Sequence, residues 1–100
     1  MAFDMNLDNL KEKINYHEED LFMALEREEG YPNCNWLWEA FYSSPKIDAS
    51  RSGKIADELT SAKELKSVKA NRSLQEFIDR MVPFFRKSYV SNTPIKCISD

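Results

Sequence analysis

The segment that most constrains the fold spans residues 73–91 and has the sequence SLQEFIDRMVPFFRKSYVS. When these residues are placed at about 100° intervals, the apolar side chains fall on one side of a helix and most charged ones on the other. Because the apolar side is broad, this helix needs several partners, and we expect it to lie at the centre of the domain. The apolar side comprises Leu74, Phe77, Ile78, Met81, Val82, Phe84, Phe85 and Tyr89.

Both ends of this helix are marked in the sequence. Ser73 and Glu76 have the spacing of a capping box, in which each side chain accepts a hydrogen bond from a backbone N–H at the start of the helix. Asn92 can adopt the left-handed conformation that ends a helix, and Pro94 prevents its continuation. Pro83 lies opposite the apolar side, so we predict a bend at this residue and not an end.

The composition favours a single helical domain. A length of 100 residues is close to the commonest domain size, and 42% hydrophobic residues suffice for one core. Two glycines and four prolines leave few turn signals for a protein built from short strands. We therefore predict an all-α fold, a compact bundle of four to five helices with a short extended C-terminal tail, in one domain covering residues 1–100.

Residues 5–29 are predicted to form one long helix or two consecutive helices. Their apolar positions recur at steps of three and four residues, which is helical spacing. Asn15 and Glu18 can cap a second helix, so a break near Asn15 stays open. Gly30 then ends the helix by permitting a left-handed conformation. The stripe that faces the core comprises Leu7, Leu10, Ile14, His17, Leu21 and Leu25.

Two further helices are predicted before the central one. The first, residues 34–43, carries Trp38 and Tyr42 four residues apart, on the side opposite its other apolar residues. These two aromatic residues form either an exposed contact patch or a half-buried pair beneath the first helix. The second helix begins at Asp48 or Ser50, ends near residue 68 and lies on the outside of the bundle.

The tail that follows the central helix is predicted to be extended. Ile95 and Cys97 alternate with Lys96 and Ile98, which is the pattern of a short strand. A lone strand has no sheet to join within an all-α chain, so its pairing partner is expected in another molecule.

The charges of the chain are distributed unevenly. Residues 1–48 carry 11 acidic and 4 basic side chains, whereas residues 49–100 carry 6 acidic and 10 basic ones. The first part therefore has a net charge of −7 and the second a net charge of +4. We expect the two parts to attract each other in the folded protein, and either can attract a partner of opposite charge.

The sequence offers no convincing set of residues for catalysis or metal binding. His17 is the single histidine, and only Asp20 lies one helical turn away as a second ligand. Cys34 and Cys97 are predicted to be free and unreactive thiols, since nothing in their spacing pairs them with His17. Two separate glycines cannot form a phosphate-binding loop. We therefore expect no enzymatic activity, no metal and no cofactor.

A nucleic-acid partner is the less favoured interpretation of the basic second part. The isoelectric point of about 5.2 and the acidic first part both oppose binding to phosphates. The basic residues considered are Lys54, Lys63, Lys66, Lys69, Arg72, Arg80, Arg86, Lys87 and Lys96.

The sequence contains no signal for a membrane or for secretion. No apolar run approaches the roughly 18 residues of a membrane span, and residues 1–9 lack the pattern of a secretory signal. We expect a cytoplasmic protein with no membrane partner.

Binding another protein is the function that these properties favour. In size and charge the chain is similar to bacterial immunity proteins and other small inhibitors, which implies a module that occludes a toxin or enzyme with a basic surface. Negative charge would steer that partner and an aromatic cluster would hold it. The alternative is a homo-oligomeric structural or regulatory protein. The predicted contact residues are Glu18, Glu19, Asp20, Glu26, Glu28, Glu29, Trp38 and Tyr42.

Overall fold

The computed structural model describes residues 3–99, which form a four-stranded antiparallel sheet packed against five α-helices. The prediction of an all-α bundle is therefore wrong. The strands are β1 (Phe3–Leu7), β2 (Leu10–Ile14), β3 (Lys46–Ile47) and β4 (Ile95–Ser99), in the order β2-β1-β4-β3. The helices are α1 (Glu19–Glu26), α2 (Pro32–Glu39), α3 (Ala49–Ala62), α4 (Lys66–Lys69) and α5 (Arg72–Ser91).

The first part of the chain forms a β-hairpin where a helix was predicted. Strand β1 pairs with β2 in antiparallel register, with Leu7 opposite Leu10 and Phe3 opposite Ile14. The two-residue turn between them begins at Asp8, whose φ of 51° is left-handed. Aspartate and asparagine tolerate this conformation, so the Asp8–Asn9 pair was the turn signal that the sequence analysis missed.

The helical spacing of this segment has a second explanation in the hairpin. A two-residue turn brings residues three apart, Leu7 and Leu10, to the same side of the sheet. Two steps of strand alternation then bring Ile14 to that side as well. A helix and a hairpin therefore give the same steps of three and four residues. The strict alternation of Phe3, Met5 and Leu7, all buried, distinguishes the two.

Neither one long helix nor two consecutive helices forms over residues 5–29, but a boundary near Asn15 with the predicted cap is found between the hairpin and the following helices. A short 3-10 helix, Tyr16–Glu18, follows the hairpin, and α1 begins directly after it. The carboxylate of Glu18 accepts a hydrogen bond of 2.9 Å from the backbone N–H of Asn15, as the predicted cap requires. His17, predicted to face the core, is exposed.

The middle of the chain contains one helix more than predicted. Asp48 caps α3 by accepting a hydrogen bond from the backbone N–H of Arg51, as expected. The helix ends at Ala62 and does not reach residue 68, because an extended residue, Leu65, separates it from α4. Its buried face is broader than the predicted narrow stripe, since α3 buries seven of its fourteen residues and packs along α5.

The central helix is predicted well in extent and less well at its start. Helix α5 runs from Arg72 to Ser91, continues through Pro83, and ends at Asn92 with the left-handed φ of 53°. Its N-cap is Asn71, which accepts a hydrogen bond from the N–H of Leu74, so the Ser73 capping box is wrong.

Strand β4 is the C-terminal tail, and it is extended as predicted. It pairs with β1 on one side and β3 on the other, so the expectation of a pairing partner in another molecule is wrong. The inner side of the sheet, including Phe3, Met5, Ile95 and Cys97, joins one hydrophobic core with the buried faces of the helices. Phe3 stacks on Phe41 at 4.2 Å between ring centroids, which ties β1 to the segment that follows α2.

Arg80 fastens α5 to the hairpin and to the 3-10 helix. Its guanidinium donates two hydrogen bonds of 3.1 Å to the carboxylate of Glu18 and one of 3.0 Å to Glu12 on β2. It donates another of 3.1 Å to the carbonyl oxygen of Lys13. Strand β2 is at the edge of the sheet, where backbone groups on the outer side have no neighbouring strand. The Lys13 carbonyl on this strand is instead bonded by Arg80.

This network sets the ionisation of Glu18. Burial by itself raises the pKa of Glu18, but the hydrogen bonds from Arg80 and Asn15, with the positive charge of Arg80, more than offset it, and the net pKa is lowered. A carboxyl group with a lowered pKa stabilises the fold above its ordinary pKa of 4.5, and that contribution is lost as the pH falls through the lowered value.

Replacing Arg80 by glutamine should therefore destabilise the protein. We expect Arg80→Gln to lower the free energy of unfolding at neutral pH by about 2 kcal/mol, the loss of hydrogen bonds to a charged group. The variant should also lose less stability than the wild type below about pH 4.5. Urea denaturation from pH 3 to 7 measures both effects. Arg86→Gln, which breaks the exposed pair with Asp57, is the control and should change stability by less than about 1 kcal/mol. Equal effects of the two substitutions would contradict this role for Arg80.

Candidate functional site

The structure separates the predicted acidic contact residues into buried and exposed groups. Glu18 and Glu19 are only 4% and 6% exposed, so neither is available to a partner as predicted. Glu18 is internal because its carboxylate is bonded to Arg80. The exposed group comprises Asp20, Glu26, Glu28 and Glu29, which we call the acidic surface.

The acidic surface lies in an electrostatically unfavourable place. Glu26 is the last residue of α1, and Glu28 and Glu29 follow in the turn, where the carbonyl end of the helix dipole is negative. The last turn of α1 contains no basic residue, and Arg27, the C-cap that follows it, forms no ion pair within residues 3–99. Within residues 3–99, none of the four carboxylates of the acidic surface forms an ion pair. Glu26, Glu28 and Glu29 therefore repel each other and the helix end in the isolated protein, whereas Asp20 lies in the first turn of α1, where the helix dipole favours a carboxylate.

An apolar side chain that the sequence analysis missed adjoins these carboxylates. Met23 is 43% exposed and lies three residues from both Asp20 and Glu26 on α1. Positions three apart are neighbours on a helix surface. Methionine is flexible and adapts to varied partners, so Met23 supplies an apolar contact within the acidic surface.

Trp38 and Tyr42 do not form the shared patch that the sequence predicted. Helix α2 ends at Glu39, so Tyr42 lies beyond it and the four-residue helical spacing is lost. Trp38 is half-buried, with its ring parallel to that of Phe22 at 6.0 Å. Tyr42 is 63% exposed and contacts Phe41 edge-on.

Trp38 and the turn that carries Glu28 and Glu29 are at opposite ends of α2. The turn that carries Glu28 and Glu29 leads directly into the start of α2 at Pro32. Trp38 lies six residues after Pro32, which is about 9 Å along the helix axis. The structure therefore brings Glu26, Glu28 and Glu29 together but leaves Trp38 and Tyr42 at the other end of α2.

The nucleophilic side chains lie apart from the histidine. Cys34 and Cys97 are free and buried, as predicted, whereas His17 is exposed. Burial raises the pKa of Cys34, and the nearby carboxylate of Glu58 raises it further. Burial raises the pKa of Cys97 to about 12. Both thiols are therefore protonated and weakly nucleophilic at neutral pH. Among residues 3–99 there is no group of three or more histidine, cysteine or carboxylate side chains placed to hold a metal ion.

Glu58 has a structural role instead. Its carboxylate accepts hydrogen bonds from the backbone N–H groups of Asn33 and Cys34, at 3.1 and 2.9 Å, in the first turn of α2. It also accepts one from the side-chain amide of Asn33 at 2.7 Å. A carboxylate at this position is favoured by the positive end of the helix dipole, so Glu58 fixes α2 against α3.

Five of the ten basic residues of the second part form ion pairs within the described residues. This pairing weakens the case for a phosphate-binding face on the helices. Of the ion pairs in the described residues, those of Arg80 connect the acidic first part with the basic second part. The pairs are Lys63 with Asp79, Lys69 with Glu64, Arg72 with Glu76, Arg86 with Asp57, and Arg80 with both Glu12 and Glu18.

A second charged surface lies on the outer side of the sheet, and the sequence analysis missed it because the strands were not predicted. We call Lys11, Lys13, Lys46 and Lys96 the lysine face, since all four are exposed and alternate with inward-facing residues. Lys46 and Lys96 are directly opposite each other on β3 and β4. Like charges opposite each other on neighbouring strands destabilise a sheet. The alternation within the β2 sequence LKEKI was the available signal.

The comparisons with known proteins leave these surfaces to be interpreted from their geometry. A scan against models of protein families finds no match, and searches of curated proteins and of solved structures find no similar protein. None of the helices in residues 3–99 combines the length and the apolar character needed to span a bilayer.

Reversing one charge of the lysine pair should stabilise the isolated protein. We expect Lys46→Glu to raise the free energy of unfolding by about 0.5 kcal/mol, because opposite charges then replace like charges across the strands. Urea denaturation at low ionic strength measures this change. Lys11→Glu is the control, since it makes the same change in net charge opposite the neutral Asn6 and should stabilise less. A lower stability of Lys46→Glu would show that the two lysines do not oppose each other.

Proposed function

We propose that the chain is a non-enzymatic protein-binding module that docks a basic partner on its acidic surface. The observation that carries this proposal is the clustering of Glu26, Glu28 and Glu29 at the carbonyl end of α1, without ion pairs in the described residues. This arrangement is unfavourable in the free protein, and a positively charged partner would relieve it.

The acidic surface can attract a basic partner by charge and then contact it through an apolar side chain. Carboxylates clustered at one end of a helix attract a basic partner over about 10 Å at moderate salt. Met23, between Asp20 and Glu26, then gives the partner an apolar group to cover. Charge complementarity of this kind mainly increases the association rate.

Occlusion of a partner protein is the mode of action that we propose. A small inhibitor or immunity-type protein neutralises a toxin or an enzyme by covering its active surface, and a basic active surface would match these carboxylates. Tyr42 supplies a second, separate contact when the partner extends along α2, whereas Trp38 acts mainly by packing on Phe22.

The cytoplasm is the compartment that we propose. Free buried thiols at Cys34 and Cys97 are compatible with a reducing environment. The alternative of a homo-oligomer relied in part on an unpaired C-terminal strand. Pairing of β4 within the chain removes that support.

Reversing the acidic surface should slow association with the partner. We expect Glu26→Lys/Glu28→Lys/Glu29→Lys to lower the association rate constant at least about tenfold at low salt, and to reduce its dependence on salt. The partner is first isolated with the immobilised wild-type chain from an extract of the native cells. Surface plasmon resonance with the purified partner then gives the rate constants.

A matched control separates this surface from net charge. Glu39→Lys/Glu64→Lys/Glu76→Lys makes the same change in charge at three exposed glutamates outside the acidic surface, and should retain the wild-type rate within about threefold. Equal loss in both variants would mean that net charge alone matters. Unchanged kinetics in the acidic-surface variant would exclude this surface as the docking site.

A further inference from the structure

The outer side of the sheet is a basic surface with a defined geometry. Strand pairing places Lys11, Asn6, Lys96 and Lys46 in one row that crosses all four strands in the order β2, β1, β4 and β3. Neighbouring strands are about 4.8 Å apart, so this row is about 14 Å long. A second row contains Lys13, Asp4 and Ile98. The outer side thus carries four lysines and one aspartate in a chain whose net charge is −3.

The lysine face is not neutralised within the described chain. No carboxylate of residues 3–99 forms an ion pair with any of these four lysines. The nearby Glu12 is already bonded to Arg80. The direct opposition of Lys46 and Lys96 adds repulsion that a bound anion would remove.

A groove lined by residues of β1, β2 and β4 lies on the outer side of the sheet. It has a volume of about 460 Å³ and lies on the side of β1 that faces away from the core. Ile98 lines it and is 55% exposed. A ligand here would contact Lys11 and Lys13 together with the apolar side chain of Ile98, and it would also border the carboxylates of Asp4 and Glu12. The lining residues are Asp4, Met5, Asn6, Lys11, Glu12, Lys13 and Ile98.

We infer that the lysine face binds an extended acidic segment of a partner protein, laid across the strands. Three carboxylates at alternate positions of an extended peptide span about 13 Å, which matches the row from Lys11 to Lys46. Lys11, Lys96 and Lys46 would each pair with one carboxylate, and an apolar side chain of the segment would cover Ile98. This site is distinct from the acidic surface and takes a ligand of opposite charge.

A peptide fits this face better than a nucleic acid. Surfaces that bind single strands stack bases on aromatic side chains, and the outward positions of the sheet between residues 3 and 99 contain no aromatic residue. Asp4, which lines the groove, repels phosphates and carboxylates alike, but it can accept hydrogen bonds from peptide N–H groups, which a sugar–phosphate backbone lacks. The acidic charge of the whole chain also opposes a polyanion that extends beyond the groove.

The test uses two labelled probes of equal net charge. One is an acetylated peptide of about eight residues with glutamate at alternate positions and one isoleucine, and the other is an oligothymidylate of matching charge. Fluorescence anisotropy at about 50 mM salt measures affinity. Amide chemical shifts of the ¹⁵N-labelled chain locate the site.

The peptide should shift the amides of β1, β2 and β4, and Lys46→Glu/Lys96→Glu should weaken its binding at least about tenfold. The matched control, Lys66→Glu/Lys69→Glu on the exposed surface of α4, should change the affinity less than about threefold. Lys46→Ala/Lys96→Ala introduces no new charge and should give an intermediate loss of affinity for the peptide. This variant tests the same site if the charge-reversed variant misfolds.

Three results would overturn the inference. The first is no binding of the peptide at low salt. The second is equal loss in the sheet and α4 variants, which would mean diffuse attraction. The third is tighter binding of the oligothymidylate at the same amides, which would assign the lysine face to nucleic acid.

Discussion

The fold depends on the contact between the guanidinium of Arg80 and the carboxylate of Glu18. This contact joins the middle of α5 to the 3-10 helix, and the further bonds to Glu12 and the Lys13 carbonyl hold the hairpin in place. Because Glu18 is buried, losing Arg80 would leave a charge without its main partner in the core. The same contact removes Glu18, one of the predicted contact residues, from the surface. The carboxylates exposed to a partner are therefore fewer than the sequence predicted.

Two charged surfaces of opposite sign remain after the internal pairs are formed. Three carboxylates of the acidic surface, Glu26, Glu28 and Glu29, lie at the carbonyl end of α1, and the lysine face lies on the outer side of the sheet. Both positions are unfavourable in the free protein. Five basic residues of the helices and their ends are neutralised by carboxylates, whereas the acidic surface and the lysine face form no ion pairs within residues 3–99. The paired residues are Lys63, Lys69, Arg72, Arg80 and Arg86. Stability given up in this way at exposed positions is common where a protein contacts a partner.

Local signals in the sequence were sufficient for part of the fold. The broad apolar face of α5, the Asp48 cap, the Asn92 end and the break near Asn15 each depend on residues within one or two turns of the helix, and each is found in the structure. The sheet depends on pairing between distant residues, as when Cys97 lies opposite Met5, which periodicity cannot reveal. The exposure of Glu28 was predicted, although the sequence analysis placed this residue in a helix and not in the turn after Glu26. The burial of Glu18 was not predicted, because its partner Arg80 is 62 residues away.

The most direct test of contact through these surfaces is carbodiimide cross-linking of the complex with its isolated partner, followed by mass spectrometry. This reagent joins carboxylates to lysines that touch. We predict cross-links from Glu26, Glu28 or Glu29 to lysines of the partner, and none from Glu18, which Arg80 holds in the interior. Cross-links to the partner from Glu18, or their absence from the whole acidic surface in a complex that forms, would contradict the account.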